Sequence, residues 1–325
     1  MTDTETHART APPERSALGR IGDAVDRVCH GKRTVVRVAT AALLARGHVL
    51  FEDGPGVGKT TLAQALARTM GLDFRRIQFT SDLLPSDVLG VSVYDPVTSR
   101  FEVREGPLFT NIALCDEINR APPRTQSGLL QAMEEGRVSI DQQTLSLPSP
   151  FMVMATQNPL EHHGTYPLPE SQLDRFLVRL TIGYPGRDAE KKILLDSTDL
   201  TPLIDRLTSV LSPDELSRLQ GEVEHVRVEE ALVDYVMDIV ARTRNDPRFR
   251  MGISPRGAIA LFRAARAYAL VEGRRFLVPD DIRALVVPCL AHRLLPVGAT
   301  SGTAEAHDDS AALLEELVEG VPIPV

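Results

Sequence analysis

The sequence contains no tryptophan, only 5% aromatic residues and just three cysteines. Cys29, Cys115 and Cys289 lie far apart without a CxxC spacing, which argues against a disulfide framework and a structural zinc site. No run approaches the ~18 apolar residues of a membrane-spanning helix. The polar N-terminus also lacks the apolar segment of a secretion signal. We therefore expect a cytoplasmic protein with no membrane span.

The rest of the composition is that of an ordinary folded protein. Apolar residues make up 43% and charged residues 25% of the 325 positions, which excludes global disorder and fibrous classes. A chain of this length predicts two domains. Lysine is scarce among the 36 basic residues, so we ask of each lysine why arginine does not stand there. The lysines are Lys32, Lys59, Lys191 and Lys192.

The net charge of −8 is concentrated at the C-terminus. Residues 301–325 contain six acids and no lysine or arginine, which leaves the other 300 residues close to neutral. This distribution lacks the basic footprint of a dedicated nucleic-acid-binding protein. We interpret the acidic tail as a solvated terminus in preference to a partner-binding arm.

Short apolar runs alternate with helical patterns up to residue 182, which predicts an α/β domain with a parallel sheet. The predicted strands are Val49–Phe51, Phe74–Phe79, Ile112–Cys115, Phe151–Ala155 and Phe176–Ile182. Only helical periodicities follow, so we predict a second, smaller domain that is all-helical. The expected divisions are a mobile leader at 1–17, the α/β core at 18–186, the helical domain at 187–300 and the acidic tail at 301–325.

A glycine-rich loop follows the first predicted strand and leads directly into a helical pattern, which is the context of a phosphate-binding P-loop. Glycines let backbone N–H groups surround phosphate oxygens, and Lys59 would place a compact charge on the β- and γ-phosphates. Thr60 would bind Mg²⁺. The alternative is a glycine-rich turn with a surface lysine, and Asp53 stands where the pattern expects glycine. The loop reads Asp53-Gly54-Pro55-Gly56-Val57-Gly58-Lys59-Thr60-Thr61.

Polar side chains also end the third and fourth predicted strands. Asp116 would hold Mg²⁺ through water, and Glu117 would polarise the water that attacks the γ-phosphate. Two acids after a strand can also simply begin a solvated loop. Asn158 offers an amide that could hydrogen-bond the γ-phosphate and the attacking water, or it could be a turn residue before Pro159.

Three long motifs resemble those of the MoxR family of AAA+ ATPases. They span residues 116–127, 155–159 and 164–176, and the segment 79–87 is also similar. The resemblance extends from about Gly31 to Leu295. In this family an aspartate at the first P-loop position is usual, so Asp53 fits. The His162-His163 pair departs from the family pattern, and we interpret it as a solvated loop in preference to a metal site.

The resemblance implies a P-loop NTPase core of the AAA+ type followed by a helical lid, assembled as a ring that is normally a hexamer. ATP would bind between protomers. Arg175 would be the arginine finger that reaches the neighbour's γ-phosphate, and Arg256 would be the lid arginine that reports the nucleotide state within its own subunit. From the residues alone, Arg175 could instead pair with Asp174, and Arg256 could merely cap a surface.

Two hairpins are predicted inside the core domain. One pairs Val91–Tyr94 with Phe101–Val103, and the other lies within Arg137–Leu147. In related AAA+ clades such insertions line the central pore. The segment 87–107 carries four acids and two arginines, and the second hairpin one of each, so neither suits a phosphate backbone.

The sequence thus predicts a Mg²⁺-dependent ATPase of the MoxR type that acts as a chaperone-like remodeller of a partner protein. Family members often work with a von Willebrand factor A domain protein, which is the expected partner besides a protein client. Two rival functions remain open. One is a nucleic-acid or transcription-linked motor, and the other is a nucleotide-gated scaffold that does not hydrolyse ATP.

Overall fold

Five segments of the core domain form one parallel sheet. The computed structural model describes residues 17–141, 143–158, 165–196, 201–299 and 304–324, so most of the predicted leader and the His162-His163 pair lie outside the described residues. The order across the sheet is β2, β5, β8, β1, β9, all parallel. These strands are β1 (Val49–Glu52), β2 (Phe74–Gln78), β5 (Ile112–Asp116), β8 (Met152–Gln157) and β9 (Val178–Leu180).

The central strands of the sheet are fully buried. Every residue of β5 and β8 is buried, as expected for central strands covered by helices on both faces. All five predicted strands are confirmed within a few residues. Because the strands are parallel, their C-terminal ends meet at one side of the sheet, here named the carboxyl edge, and their first residues meet at the opposite, amino edge.

The helices that flank the sheet follow the amphipathic patterns of the sequence. Helix α1 buries Leu18, Ile21 and Val25 at helical spacing. The helices before residue 186 are α1 (Ala17–Val25), α2 (Arg33–Leu44), α3 (Lys59–Thr69), α4 (Pro85–Leu89), α5 (Pro123–Glu135) and α6 (Glu170–Leu173). A short 3₁₀ helix, Ile118–Arg120, lies between β5 and α5.

Both predicted hairpins are present. Strand β3 (Gly90–Asp95) pairs with β4 (Arg100–Glu105), and β6 (Arg137–Ile140) pairs with β7 (Gln143–Ser146). In the first hairpin the Tyr94 and Phe101 rings face each other edge to face at 5.3 Å. Both side chains are more than half exposed, at 51% and 66%.

The second domain is a helical lid that also contains a short antiparallel ribbon. Its helices are α7 (Arg187–Asp196), α8 (Thr201–Asp205), α9 (Pro213–Glu222), α10 (Glu230–Asn245), α11 (Pro255–Val271), α12 (Pro279–Leu290) and α13 (Ala304–Glu319), with 3₁₀ helices at Val223–His225 and Ala291–Arg293. The ribbon pairs β10 (Phe249–Met251) with β11 (Leu295–Pro296). The prediction of an all-helical domain is therefore wrong in this detail. Strands of two or three residues are too short to give a period-2 signal.

The acidic tail forms helix α13, which packs on the lid, so the interpretation as a solvated terminus is wrong for this segment. Leu314 and Ser310 are fully buried, and the Ser310 hydroxyl donates to the carbonyl of Leu294 at 3.2 Å. The acids Asp308 and Glu315 lie on the exposed face. The acids therefore form the exposed face of an amphipathic helix, whose other face is buried.

No helix among the described residues is long and apolar enough to cross a membrane.

A buried histidine joins β1 to its neighbours. The backbone N–H of Val153 donates to His48 Nδ1 at 2.9 Å, and His48 Nε2 lies 3.0 Å from the Met133 carbonyl oxygen. Because Val153 can only donate, Nδ1 must carry a lone pair and the proton belongs on Nε2. The ring is therefore held neutral, and its burial lowers the pKa of His48 from 6.5 to about 4.

We expect His48 to make the fold sensitive to acid. Its folded-state pKa is below the unfolded value, so its contribution is fully present above pH 6.5 and is lost as the pH falls towards 4. The shift corresponds to about 3 kcal/mol. Urea unfolding from pH 7 to pH 4 should therefore show a shallower loss of stability in His48→Gln than in the parent. Equal pH slopes would contradict this role.

Candidate functional site

The glycine-rich loop connects β1 to α3 at the carboxyl edge. Gly56 and Gly58 adopt φ values of +82° and +93°, in the left-handed region that favours glycine, and a Cβ on either would meet no neighbour within 4 Å. Glycine is thus required here by backbone conformation and not by crowding. Gly58 caps α3, so the N–H groups of the first helical turn face the loop, as a phosphate site requires.

Lys59 lies across the start of this loop. Its Nζ donates to the carbonyl oxygens of Asp53 at 2.7 Å and Gly54 at 3.1 Å. Burial lowers the pKa of Lys59, and the negative charges of Asp53, Asp116 and Glu117 oppose that shift. The sequence places Lys59 and the two acids far apart, and the fold brings them into one electrostatic environment.

Asp116 is the last residue of β5 and Glu117 follows it directly. The hydroxyl of Thr156 donates to Asp116 Oδ1 at 2.6 Å and accepts the backbone N–H of Glu117 at 2.8 Å. Glu117 has φ of +56°, a left-handed conformation that is strained for this residue type and is characteristic of functional sites. Thr156 therefore fixes both acids from the neighbouring strand β8.

Two side chains of β2 also contact these acids. Arg76 donates to Asp116 Oδ2 from Nε at 3.1 Å and from Nη2 at 2.5 Å. Gln78 Nε2 donates to Glu117 Oε2 at 3.2 Å, and Arg120 Nε lies 2.9 Å from the same oxygen. Both carboxylates are thus held by donors of the protein itself.

Sequence reasoning missed Arg76, Gln78 and Thr156. The spacing of Arg76 and Gln78 does predict that their side chains share one face of a strand, because residues two apart on a strand point to the same face. Without the strand order nothing identified β2 as the neighbour of β5, where Gln78 pairs in register with Asp116. Asn158 follows β8 directly and is 9% exposed, so it also lies at the carboxyl edge.

The donor set fits Mg²⁺. The hydroxyl of Thr60, in the first turn of α3, and the carboxylate of Asp116 are hard oxygen ligands, and Mg²⁺ in nucleotide sites is typically bound by one or two such groups plus phosphate oxygens. Among the described residues no cluster of three or more His, Cys, Asp or Glu side chains could hold a metal ion by itself.

Arg175 and Arg256 lie at the amino edge, on the far side of the sheet from the loop. Together with Glu134 they line a small cleft that also contains Gly47, just before β1. Both arginines contact Glu134, from Arg175 Nη2 at 3.2 Å and from Arg256 Nη2 at 3.4 Å. The four residues of β1, at about 3.3 Å each, separate the edges by roughly 13 Å.

These positions bear on two statements from the sequence: that Arg256 reports the nucleotide of its own subunit, and that Arg175 could pair with Asp174. Arg256 does not lie where it could report the nucleotide of its own subunit, because the sheet stands between it and the P-loop. Arg175 contacts Glu134. Asp174 instead contacts Arg293 Nε at 2.6 Å and Arg256 Nε at 3.4 Å.

The chain matches two protein-family models, named relatives and a solved structure. The family model for the ATPase family associated with various cellular activities (AAA) matches residues 48–178, and the AAA lid domain model matches residues 241–316. The chain is 48% identical to the Bacillus subtilis protein YeaC over 95% of each chain, and 41% identical to Chaperone MoxR1 of Mycobacterium tuberculosis, over 89% of this chain and 80% of the other. The crystal structure of a Cytophaga hutchinsonii protein superposes with a TM-score of 0.84 at 33% identity, over 95% of each chain.

Proposed function

Since the chain belongs to the MoxR family of AAA ATPases, we propose that it hydrolyses ATP with Mg²⁺ and uses the energy to remodel a partner protein. The observation that carries the catalytic part is the meeting of Lys59, Asp116 and Glu117 at the carboxyl edge. A loop with inward N–H groups, a lysine and two acids is a complete set for phosphoryl transfer to water.

Each residue then has a defined task. The backbone N–H groups of residue 54 and residues 56–61 and the Lys59 ammonium bind the phosphates, after Lys59 leaves the carbonyls of Asp53 and Gly54. Thr60 and Asp116 would hold Mg²⁺, which supplies charge neutralisation on the β- and γ-phosphate oxygens. Glu117 orients the attacking water and accepts its proton, which requires its carboxylate to turn away from Gln78 and Arg120. Asn158 hydrogen-bonds the γ-phosphate and the water.

The position of the two arginines supports a ring assembly, with a hexamer as the expected form. Arg175 and Arg256 cannot reach the P-loop of their own chain from the amino edge, whereas a neighbouring subunit docked on that face could present its nucleotide to both. Within this chain both guanidinium groups contact Glu134. We therefore assign both arginines to the neighbour's nucleotide.

A protein client is favoured over a nucleic acid. The β3–β4 hairpin presents Tyr94, Phe101 and Val97, the last 90% exposed, among mixed charges. An apolar surface of this kind suits a polypeptide, and it lacks the cluster of cations that a phosphate backbone requires. The relative named Chaperone MoxR1 agrees with a remodelling role. We expect a von Willebrand factor A domain protein among the partners.

We expect Lys59→Ala to lose most of the affinity for ATP. The substitution removes a cation whose charge-assisted contacts contribute about 1.5–3 kcal/mol each, roughly ten- to a hundredfold in binding. Calorimetric titration with Mg-ATP measures it, and Lys192→Ala is the control because Lys192 lies exposed on α7.

Unchanged affinity in folded Lys59→Ala would overturn the P-loop assignment. ATP turnover by the parent protein separates the rival functions. Stimulation of ATP turnover by protein and not by DNA supports the remodeller, the reverse supports a nucleic-acid motor, and no turnover by the parent in any condition supports a scaffold.

A further inference from the structure

Two charged side chains, Asp53 and Lys32, hydrogen-bond the backbone of the connection between the core and the lid. Strand β9 ends at Leu180 and helix α7 begins at Arg187. Between them, residues 182–184, here named the linker, give their backbone groups to two charged side chains from distant parts of the chain. Gly183 in this segment has φ of +66°, a conformation that favours glycine.

Asp53 binds the N–H groups of the linker. Its Oδ2 accepts from Ile182 at 2.6 Å and its Oδ1 from Gly183 at 3.0 Å. Asp53 is only 6% exposed, so these charge-assisted bonds supply the partners that a buried carboxylate needs. The glycine that the P-loop pattern expects at this position could make neither bond.

Lys32 binds the carbonyl oxygens of the same residues. Its Nζ donates to Ile182 at 2.7 Å, to Gly183 at 3.0 Å and to Tyr184 at 2.9 Å. An ammonium group has three donors arranged around one nitrogen, and all three are used here, an arrangement that the planar guanidinium of arginine does not offer. This explains a lysine in a chain that otherwise uses arginine.

Lys32 and Asp53 come from two different segments of the core domain. Lys32 caps α2, which packs against lid helix α11 and receives the side-chain amide of Gln220 on the carbonyl of Leu43 at 2.7 Å. Asp53 belongs to the P-loop, and its carbonyl oxygen accepts from Lys59 Nζ. A single residue thus contacts the phosphate-binding lysine through its backbone and the linker through its side chain.

We propose that Asp53 and Lys32 form a clamp on the linker that couples nucleotide occupancy of the P-loop to the lid. This inference rests on the proposed function, because it takes the P-loop as a nucleotide site. When Lys59 moves from the Asp53 carbonyl to phosphate, the Asp53 carboxylate loses a neighbouring cation and binds the linker N–H groups more strongly. Nucleotide therefore tightens the clamp, and by reciprocity the clamp strengthens nucleotide binding.

Lys32→Met tests the coupling, because the hydrogen bonds of this ammonium go to the linker and not to the P-loop. We expect Mg-ADP affinity to fall by about fivefold or more, the lower end of a typical coupling between sites. Asp53→Asn should also weaken binding, and the double variant should be no weaker than Asp53→Asn alone, because both changes break one unit. Calorimetry measures the four affinities, with Lys192→Met as an exposed control that should match the parent.

Hydrogen exchange gives a second readout that a merely structural role would not move. In the parent, Mg-ADP should slow exchange in a peptide covering the linker, and Lys32→Met should abolish this dependence on nucleotide. Parental affinity in Lys32→Met, fully additive effects in the double variant, or linker exchange that ignores nucleotide would each overturn the clamp. If the parent binds ADP and hydrolyses ATP in these cases, only the clamp fails; a parent that binds no nucleotide overturns the proposed function as well.

Discussion

Glu117→Gln should bind Mg-ATP as well as the parent does and hydrolyse it at least about a hundredfold more slowly, the scale of a lost general base. The glutamine keeps the size of the side chain and can still accept from Gln78 Nε2, whose bond to Glu117 is 3.2 Å long. It cannot take a proton from the attacking water. Steady-state phosphate release and Mg-ATP titration measure the two parameters separately.

Glu135→Gln is the matched control, because Glu135 is exposed and lies outside the carboxyl edge. It should hydrolyse ATP at the parental rate. Parental turnover in Glu117→Gln would remove Glu117 from the catalytic role. The trapped variant should also favour the closed ring, so sedimentation with ATP should reveal larger assemblies than sedimentation without it, and no change in size would count against the ring.

Arg175→Ala should bind ATP almost normally and lose about 10³–10⁵ in turnover, because an arginine finger acts on charge that develops in the transition state. The defect should be rescued in part by mixing with inactive Lys59→Ala protomers. Some junctions in the mixed rings would pair an intact loop from one subunit with an intact Arg175 from its neighbour. The mixing assay requires that both variants are folded and exchange subunits.

The ion pair with Glu134 supplies the test of a merely structural role. If Arg175 acted only by holding Glu134, Glu134→Gln would reproduce the loss of turnover and mixing would restore nothing. We expect Glu134→Gln to retain most of the activity, since the Arg175 guanidinium remains. Arg275→Ala, at a side chain that is 83% exposed, serves as the surface control.

The parts of the proposed nucleotide site could be picked out from the sequence because each of them is local. The P-loop is one continuous segment whose glycines and Lys59 follow directly from backbone and charge requirements, and Asp116 and Asn158 stand at or just beyond the ends of two apolar runs. The roles of Thr156 and Arg76 were not predictable in this way. They contact Asp116 only because β8 and β2 flank β5, and strand order is a property of long-range packing.

In the lid, too, local features were predictable from the sequence and long-range contacts were not. Its long helices were predicted from periodicity, whereas the β10–β11 ribbon and the docking of α13 depend on contacts between segments far apart in sequence. The placement of Arg256 at the amino edge likewise follows from how the lid packs on the core. Local propensity, hydrophobic period and loop chemistry were thus determined by the sequence alone. The tertiary structure alone decided which charged groups meet across the sheet. Electrostatic and hydrogen-bond partners depend on distances in space, which the spacing of residues along the sequence does not encode.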